Sequence, residues 1–139
     1  MSQENVELIR DAFAAFNRRD SEAFLTIFDH DVRFVSRLGA IEGDYSGHEG
    51  ISRLLGTLFG VWPDLTAELL EVHAVGDQVT VAALRFRGQG AGSDVPWEWT
   101  VWQASRWHRG KIVEVHSLDS RAEALAAVGL SGQDAHADS

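Results

Sequence analysis

The sequence predicts an α+β protein in which an antiparallel meander folds around a pocket and is covered by helices. Three observations predict it. From Asp77 to Asp119 three strand-like segments, Gln78 to Arg87, Pro96 to Arg109 and Lys111 to Leu118, follow one another, with Gly76-Asp77 and Arg109-Gly110 as turn residues. In the middle segment one parity holds Trp97, Trp99, Val101, Gln103, Ser105 and Trp107, and the other holds Glu98, Thr100, Trp102, Ala104, Arg106 and His108. Both faces are partly apolar, so both are expected to meet protein or ligand. The third observation is the helical spacing of apolar residues before the meander, which supplies its cover.

Taken in order, Val6, Ile9, Phe13 and Phe16 share one face of a helix from about Gln3 to Arg18. Asp20 suits the cap of a second, shorter helix carrying Phe24, Ile27 and Phe28 inward, ending at Asp29 to Asp31. Val32 to Leu38 reads as a strand with Phe34 and Ser36 on one side and Arg33, Val35 and Arg37 on the other. Gly39 to Gly47 reads as a loop. Ser46 and Glu49 have capping-box spacing before a helix bearing Ile51, Leu54, Leu55, Leu58 and Phe59, which Gly60 and the breaker Trp62-Pro63-Asp64 should stop. Leu65 to Val75 is a strand, and Gly88 to Asp94 a flexible connection. Ser120 and Glu123 repeat the capping spacing before a last helix with Ala122, Leu125, Ala126 and Val128, closed by Gly129. Residues 1–130 are expected to form a single domain and 131–139 a frayed tail.

Composition narrows the function classes. A chain of 139 residues with 45% hydrophobic content can bury one core without metal or disulfide support. There is no cysteine, which excludes disulfides, thiolate metal sites and cysteine nucleophiles. The formal net charge of -9 opposes nucleic-acid backbones and anionic membranes, so neither is expected as a partner. No stretch approaches the roughly 18 apolar residues of a membrane span, and Met1-Ser2-Gln3-Glu4 does not open a signal sequence. A cytoplasmic location is the expectation. His30, His48, His73, His108 and His136 show no ligand spacing, and no metal or cofactor is expected.

The segments Glu7 to Phe28, Ser46-Gly47-His48-Glu49-Gly50-Ile51 and Gly110-Lys111-Ile112-Val113 running into Arg121-Ala122-Glu123-Ala124-Leu125 resemble the nuclear transport factor 2-like superfamily, and within it the SnoaL-like branch that contains polyketide cyclases. The resemblance covers nearly the whole chain. It implies a cone, in which a curved, mixed but mostly antiparallel sheet wraps around three helices and leaves an apolar cavity, with a short C-terminal helix. It also implies a homodimer formed through the outer face of the sheet. The expected function is binding of a small apolar or polycyclic ligand, either as a cofactor-free cyclase or isomerase or as a non-catalytic binding or sensing module. Activity does not follow from the fold.

Residue by residue, the resemblance removes more chemistry than it supplies. The carboxylate base of ketosteroid isomerases of this fold falls at Ser36, their protonated acid at about Gln103, and their helix tyrosine near Ala12 or Phe13. The aspartate, arginine, aspartate relay of limonene epoxide hydrolases has only Arg85 and Arg87 as its nearest analogue, without the intervening acid. Asp119 remains as the candidate catalytic residue. Sharing parity with Val115 and Ser117, it reads either as an inward acid with a raised pKa or as a neighbour of the last helix cap.

The residues expected to bind ligand are Phe16, Phe34, Ser36, Tyr45, Trp62, Trp99, Gln103 and Ser117. Gln103 can orient a substrate carbonyl or bond to neighbouring backbone. Tyr45, on the loop, can donate to an oxyanion or simply pack. Trp97 and Trp99 can form a flat aromatic wall. His116 has outward parity and reads as an interface residue beside Trp102 and Arg85, or less readily as a base, and His48 in a first helical turn is expected to be exposed. The outer parity, with Trp102, Val81, Ala83 and His116, is the expected dimer face.

Overall fold

A computed structural model of the chain describes residues 2–37, 42–90 and 95–129. The order of elements is α1 (Ser2–Asn17), α2 (Ser21–Leu25), β1 (Phe28–Ser36), β2 (Gly43–Ser46), α3 (Gly47–Val61), β3 (Thr66–Val75), β4 (Val79–Gly88), β5 (Trp97–His108), β6 (Lys111–Leu118) and α4 (Arg121–Ala127). The six strands form one curved, unclosed sheet in the order β2-β1-β6-β5-β4-β3. Every neighbouring pair is antiparallel except β1 with β6, which run parallel. Irregularities in register at Phe28/Arg33, Leu69/Glu71 and Arg106/Trp107 interrupt the ladders, and such irregularities bend strands and sharpen their twist.

The first helix buries Val6, Ile9, Phe13 and Phe16 as its spacing predicts, together with Ala12 and Ala15. Asn17 fastens its end to the sheet: its side-chain amide donates to Ala67 O and accepts from Ala67 N, each at 2.8 Å. Arg19, at φ 64°, turns the chain out of the helix; it donates to Pro63 O at 2.8 Å and lies 4.0 Å over the Phe59 ring. Asp20 caps α2 by accepting from Ala23 N at 3.1 Å. The helix is shorter than its apolar pattern suggested, because Phe28, buried with Ile27, already opens β1.

These helices and α3 pack on the inner face of the sheet. Phe24 meets Phe13 and Phe16 edge-on at 5.8 and 5.7 Å, and Ile51, Leu54 and Leu55 bring α3 into the same core. On the outer face α4 lays Ala124, Leu125 and Val128 over Val75, Val79, Val81 and Ala104, with Trp102 and Leu118 at the edge of this second cluster. That corrects the expectation that Val81 and Ala83 await a partner chain. Val81 is buried beneath α4, and Ala83, opposite Trp102 in the ladder, is buried as well.

One further reading changes here. Part of the segment Gly39 to Gly47 is strand, since Gly43–Ser46 pairs with β1 through Phe34↔Tyr45 and Ser36↔Gly43. Four residues are too few for a periodicity to show. The turn into α3 passes through Gly47 at φ +70°, where a Cβ would come 3.1 Å from His30 O, so a residue without one is favoured. The start of that loop at 39–41, the last residue of the expected strand at 38, the connection at 91–94 and the tail at 131–139 lie outside the described residues. No described helix is long and apolar enough to cross a membrane.

The two capping boxes do not behave alike. Ser120 Oγ accepts from Glu123 N at 3.2 Å, whereas Ser46, the residue before α3, makes no side-chain capping bond. Ser120→Ala should therefore cost about 1 kcal/mol in urea unfolding, and Ser46→Ala should leave the midpoint close to wild type.

Candidate functional site

The inner face of the sheet and the helices above it enclose a cavity of about 70 Å³. Its floor comes from alternate residues of β5 and β6, Trp97, Trp99, Val101, Gln103 and Ser105 with Val115 and Ser117, and from Phe34 on β1. Phe13 and Phe16 of α1, Phe24 of α2 and Leu54, Leu55 and Leu58 of α3 form the roof. Trp62, just past α3, stands at the rim stacked on Trp97, with ring centroids 4.5 Å apart and planes 19° apart; Trp97 meets Trp99 edge-on at 5.5 Å.

The polar content of this lining is small. Gln103 and Ser117 face each other across the β5–β6 ladder, and Gln103 Nε2 donates to Ser117 Oγ at 2.9 Å; Ser105 is the third polar lining residue. The Gln103 amide thus bonds to a neighbouring side chain, a partner that neither of its two expected roles named, and its carbonyl oxygen retains acceptor capacity. Among the described residues no carboxylate, histidine, lysine or arginine lines the cavity.

Six of the predicted binding residues, Phe16, Phe34, Trp62, Trp99, Gln103 and Ser117, line the cavity. Ser36 is fully buried beside Ser117 in the β1–β6 register but does not line it. Tyr45 sits on β2 instead of a loop, half-buried and edge-on to Phe34 at 6.4 Å, also outside the lining. Asp119 is exposed, one residue beyond the end of β6 and one before the cap Ser120. The inward parity of Val115 and Ser117 does not reach it because the strand ends at Leu118 and the chain turns into α4. Phe13, Phe24 and Leu58 were readable only as core: periodicity marks a buried face without distinguishing a filled interior from one that borders a void.

Charge is segregated to the outside. Glu98 bridges the two arginines whose linking acid was missing in sequence, with Oε1 3.1 Å from Arg85 Nε and Oε2 3.3 Å from Arg87 Nε, and Glu68 approaches both. Nearer α4, Glu114 lies 2.6 Å from His116 Nε2 and 3.4 Å from Arg106 Nε. The hydrogen bond from His116 holds the Glu114 carboxyl below its usual range; burial opposes this, and the charges of His116 and Arg106 reinforce it. His48 is half-buried instead of exposed, 2.8 Å from Phe28 O and stacked on His30 at 5.1 Å. Among the described residues no group of three or more His, Cys, Asp or Glu is placed to hold a metal ion.

A curved sheet wrapped around helices, with an apolar void between them, defines the cone-fold class of nuclear transport factor 2-like proteins. The SnoaL-like domain model matches residues 9–115, and the chain belongs to that family. Among solved structures it is similar to Bal32a from a soil-derived mobile gene cassette, with a TM-score of 0.77 and 22% identity over 88% of this chain and 94% of that one. It is also similar to a ketosteroid isomerase-like protein of Catenulispora acidiphila solved with trimethylamine (TM-score 0.72, 20% identity, 91% and 95% of the two chains). TerC, co-crystallised with polyporic acid, aligns with a TM-score of 0.72 and 22% identity over 84% and 92%. At these identities the likeness is one of fold. No curated protein matches the chain in sequence.

The Glu114 cluster carries a pH dependence with a definite sign. A carboxyl whose folded pKa is depressed stabilises the fold above its unfolded value and loses that contribution as pH falls through the folded value. Between about pH 5 and 3 the urea midpoint of the wild-type protein should fall more steeply than that of Glu114→Gln.

Proposed function

We propose that the protein binds a small molecule whose part inside the cone is uncharged and largely apolar, as a binding or sensing module without acid–base chemistry of its own. The observation that carries this reading is the cavity lining: aromatic and aliphatic side chains throughout, one glutamine and two serines, and among the described residues no ionisable group. Such a lining favours apolar surface through burial and penalises an unpaired charge. The ligands in the structures of TerC and of the Catenulispora acidiphila protein support small-molecule binding as a use of this fold. A cofactor-free cyclase or isomerase acting through Asp119 is the second reading. The family supports it, and the exposed position of Asp119 opposes it.

The test uses N-phenyl-1-naphthylamine, a neutral dye that brightens in apolar surroundings. Saturable binding at one site per chain is expected, abolished by Leu58→Trp, which fills the roof of the cavity, and unchanged by Asp119→Asn. Dye affinity that falls with Asp119→Asn while the fold is kept would favour the second reading.

The same reading includes a homodimer through what α4 leaves of the outer face, centred on Trp102, Leu118 and His116, all half-buried. A standard interface buries about 800 Å² per partner. Light scattering at micromolar concentration should give twice the chain mass, and Trp102→Glu should return it to the monomer; a monomeric wild type would remove the dimer from the proposal.

A further inference from the structure

The cavity is too small, as it stands, for a ligand the size of an aromatic ring. At about 70 Å³ it is about half the size of an apolar cavity that takes up benzene, which measures about 150 Å³. A side chain must move for a ligand to enter, and the lining residues differ in their freedom to do so. Phe13, Leu54, Val101 and Ile112 are buried in the close-packed core. Trp97 is half-buried at the first position of β5. Its partner across the ladder is Gly88, which presents no side chain, and Trp62 is seated there: a Cβ on Gly88 would come 3.4 Å from Trp62 Cβ and 3.2 Å from Asp64 Oδ1. The indole of Trp97 is held by ring contacts with Trp62 and Trp99, which separate more readily than an interlocked core side chain moves.

Outside this stack lies a groove of about 330 Å³ lined by Asp64, Thr66, Arg87, Gln89 and Glu98, and Trp97 belongs to the lining of both spaces. We propose that Trp97 is a movable partition between cavity and groove, and that the ligand is an amphiphile whose apolar part fills the cone while a hydrogen-bond-donating head, uncharged or cationic, lies in the groove. The proposal rests on the ligand-binding reading above. The groove selects the head by charge. Arg87 is already paired with Glu98 at 3.3 Å and approached by Glu68 at 3.7 Å. The carboxylate of Asp64 accepts from Gln89 N through both oxygens at 3.1 Å and keeps lone pairs for a further donor. A hydroxyl or ammonium group meets acceptors there; a carboxylate head meets two carboxylates.

Displacement of N-phenyl-1-naphthylamine from the full chain by decylamine, decan-1-ol and decanoate tests this, because the three share a tail and differ in the head. The amine and the alcohol should displace the dye at about five- to tenfold lower concentration than decanoate, and Glu98→Gln should narrow the gap. In stopped flow Trp97→Ala should speed dye association and dissociation together, with Trp97→Phe between it and the wild type. Equal potency of the three heads, or dye association no faster in Trp97→Ala and Trp97→Phe than in wild type, overturns the partition while leaving the binding reading intact. Dye that binds neither wild type nor variants overturns the binding reading and the partition with it.

Discussion

The parallel pairing of β1 with β6 is the contact on which the rest of the structure depends. It joins Phe34 to Val115 and Ser36 to Ser117, so the first strand completes the floor that the last two strands begin. Parallel neighbours cannot be linked by a tight turn. Here the connection consists of β2, α3 and the whole antiparallel run from β3 to β5, and it places α3 against the inner face with α1 and α2. Rings line the void between this roof and the curved floor: Phe13, Phe16 and Phe24 on one side, Trp97 and Trp99 on the other.

The same sheet separates two electrostatic environments. One parity of β5 and β6 lines the cavity with apolar side chains, Ser105 and the Gln103–Ser117 pair, while the outer face of the sheet carries the Glu68, Arg85, Arg87 and Glu98 cluster and the Arg106, Glu114 and His116 cluster. A charge is expensive to move from water into an apolar void, and each of these ions lies where a counter-ion and solvent are both within reach. The outer face is itself divided, with an apolar end closed by α4 and an ionic end that adjoins the groove beside Trp97.

Much of this was legible in the residues. Alternation along β5 separated Trp97, Trp99, Val101, Gln103 and Ser105 from Glu98, Thr100, Trp102, Ala104 and Arg106, and the cavity lies on the side of the first set. The helical spacing of Val6, Ile9, Phe13 and Phe16, the cap at Asp20, the cap at Ser120 and the break at Trp62-Pro63 all correspond to observed boundaries within a residue or two. These are local properties, set by the period of each element and by the backbone donors at its ends.

What only the tertiary structure decided concerns contacts between segments distant in the chain and the ends of elements where periodicity stops. Asp119 shares the parity of Ser117 and yet is exposed, because a strand's alternation has no meaning past its last paired residue. Val81 and Ala83 are apolar on the outer parity; that an intramolecular helix covers Val81 follows from how α4 folds back. Glu98 links Arg85 to Arg87 only through the β4–β5 register. The stack of Trp62 on Trp97 arises only when the end of α3 is brought to the glycine opposite the start of β5. Sequence by itself determined most of the elements, the caps at Asp20 and Ser120 and the inward face of the sheet, since backbone geometry dictates these over a few residues. The size of the void, the partners of each charge and the position of the aromatic rim were decided by packing, which depends on how far apart two faces come to rest and is written in no single stretch of chain.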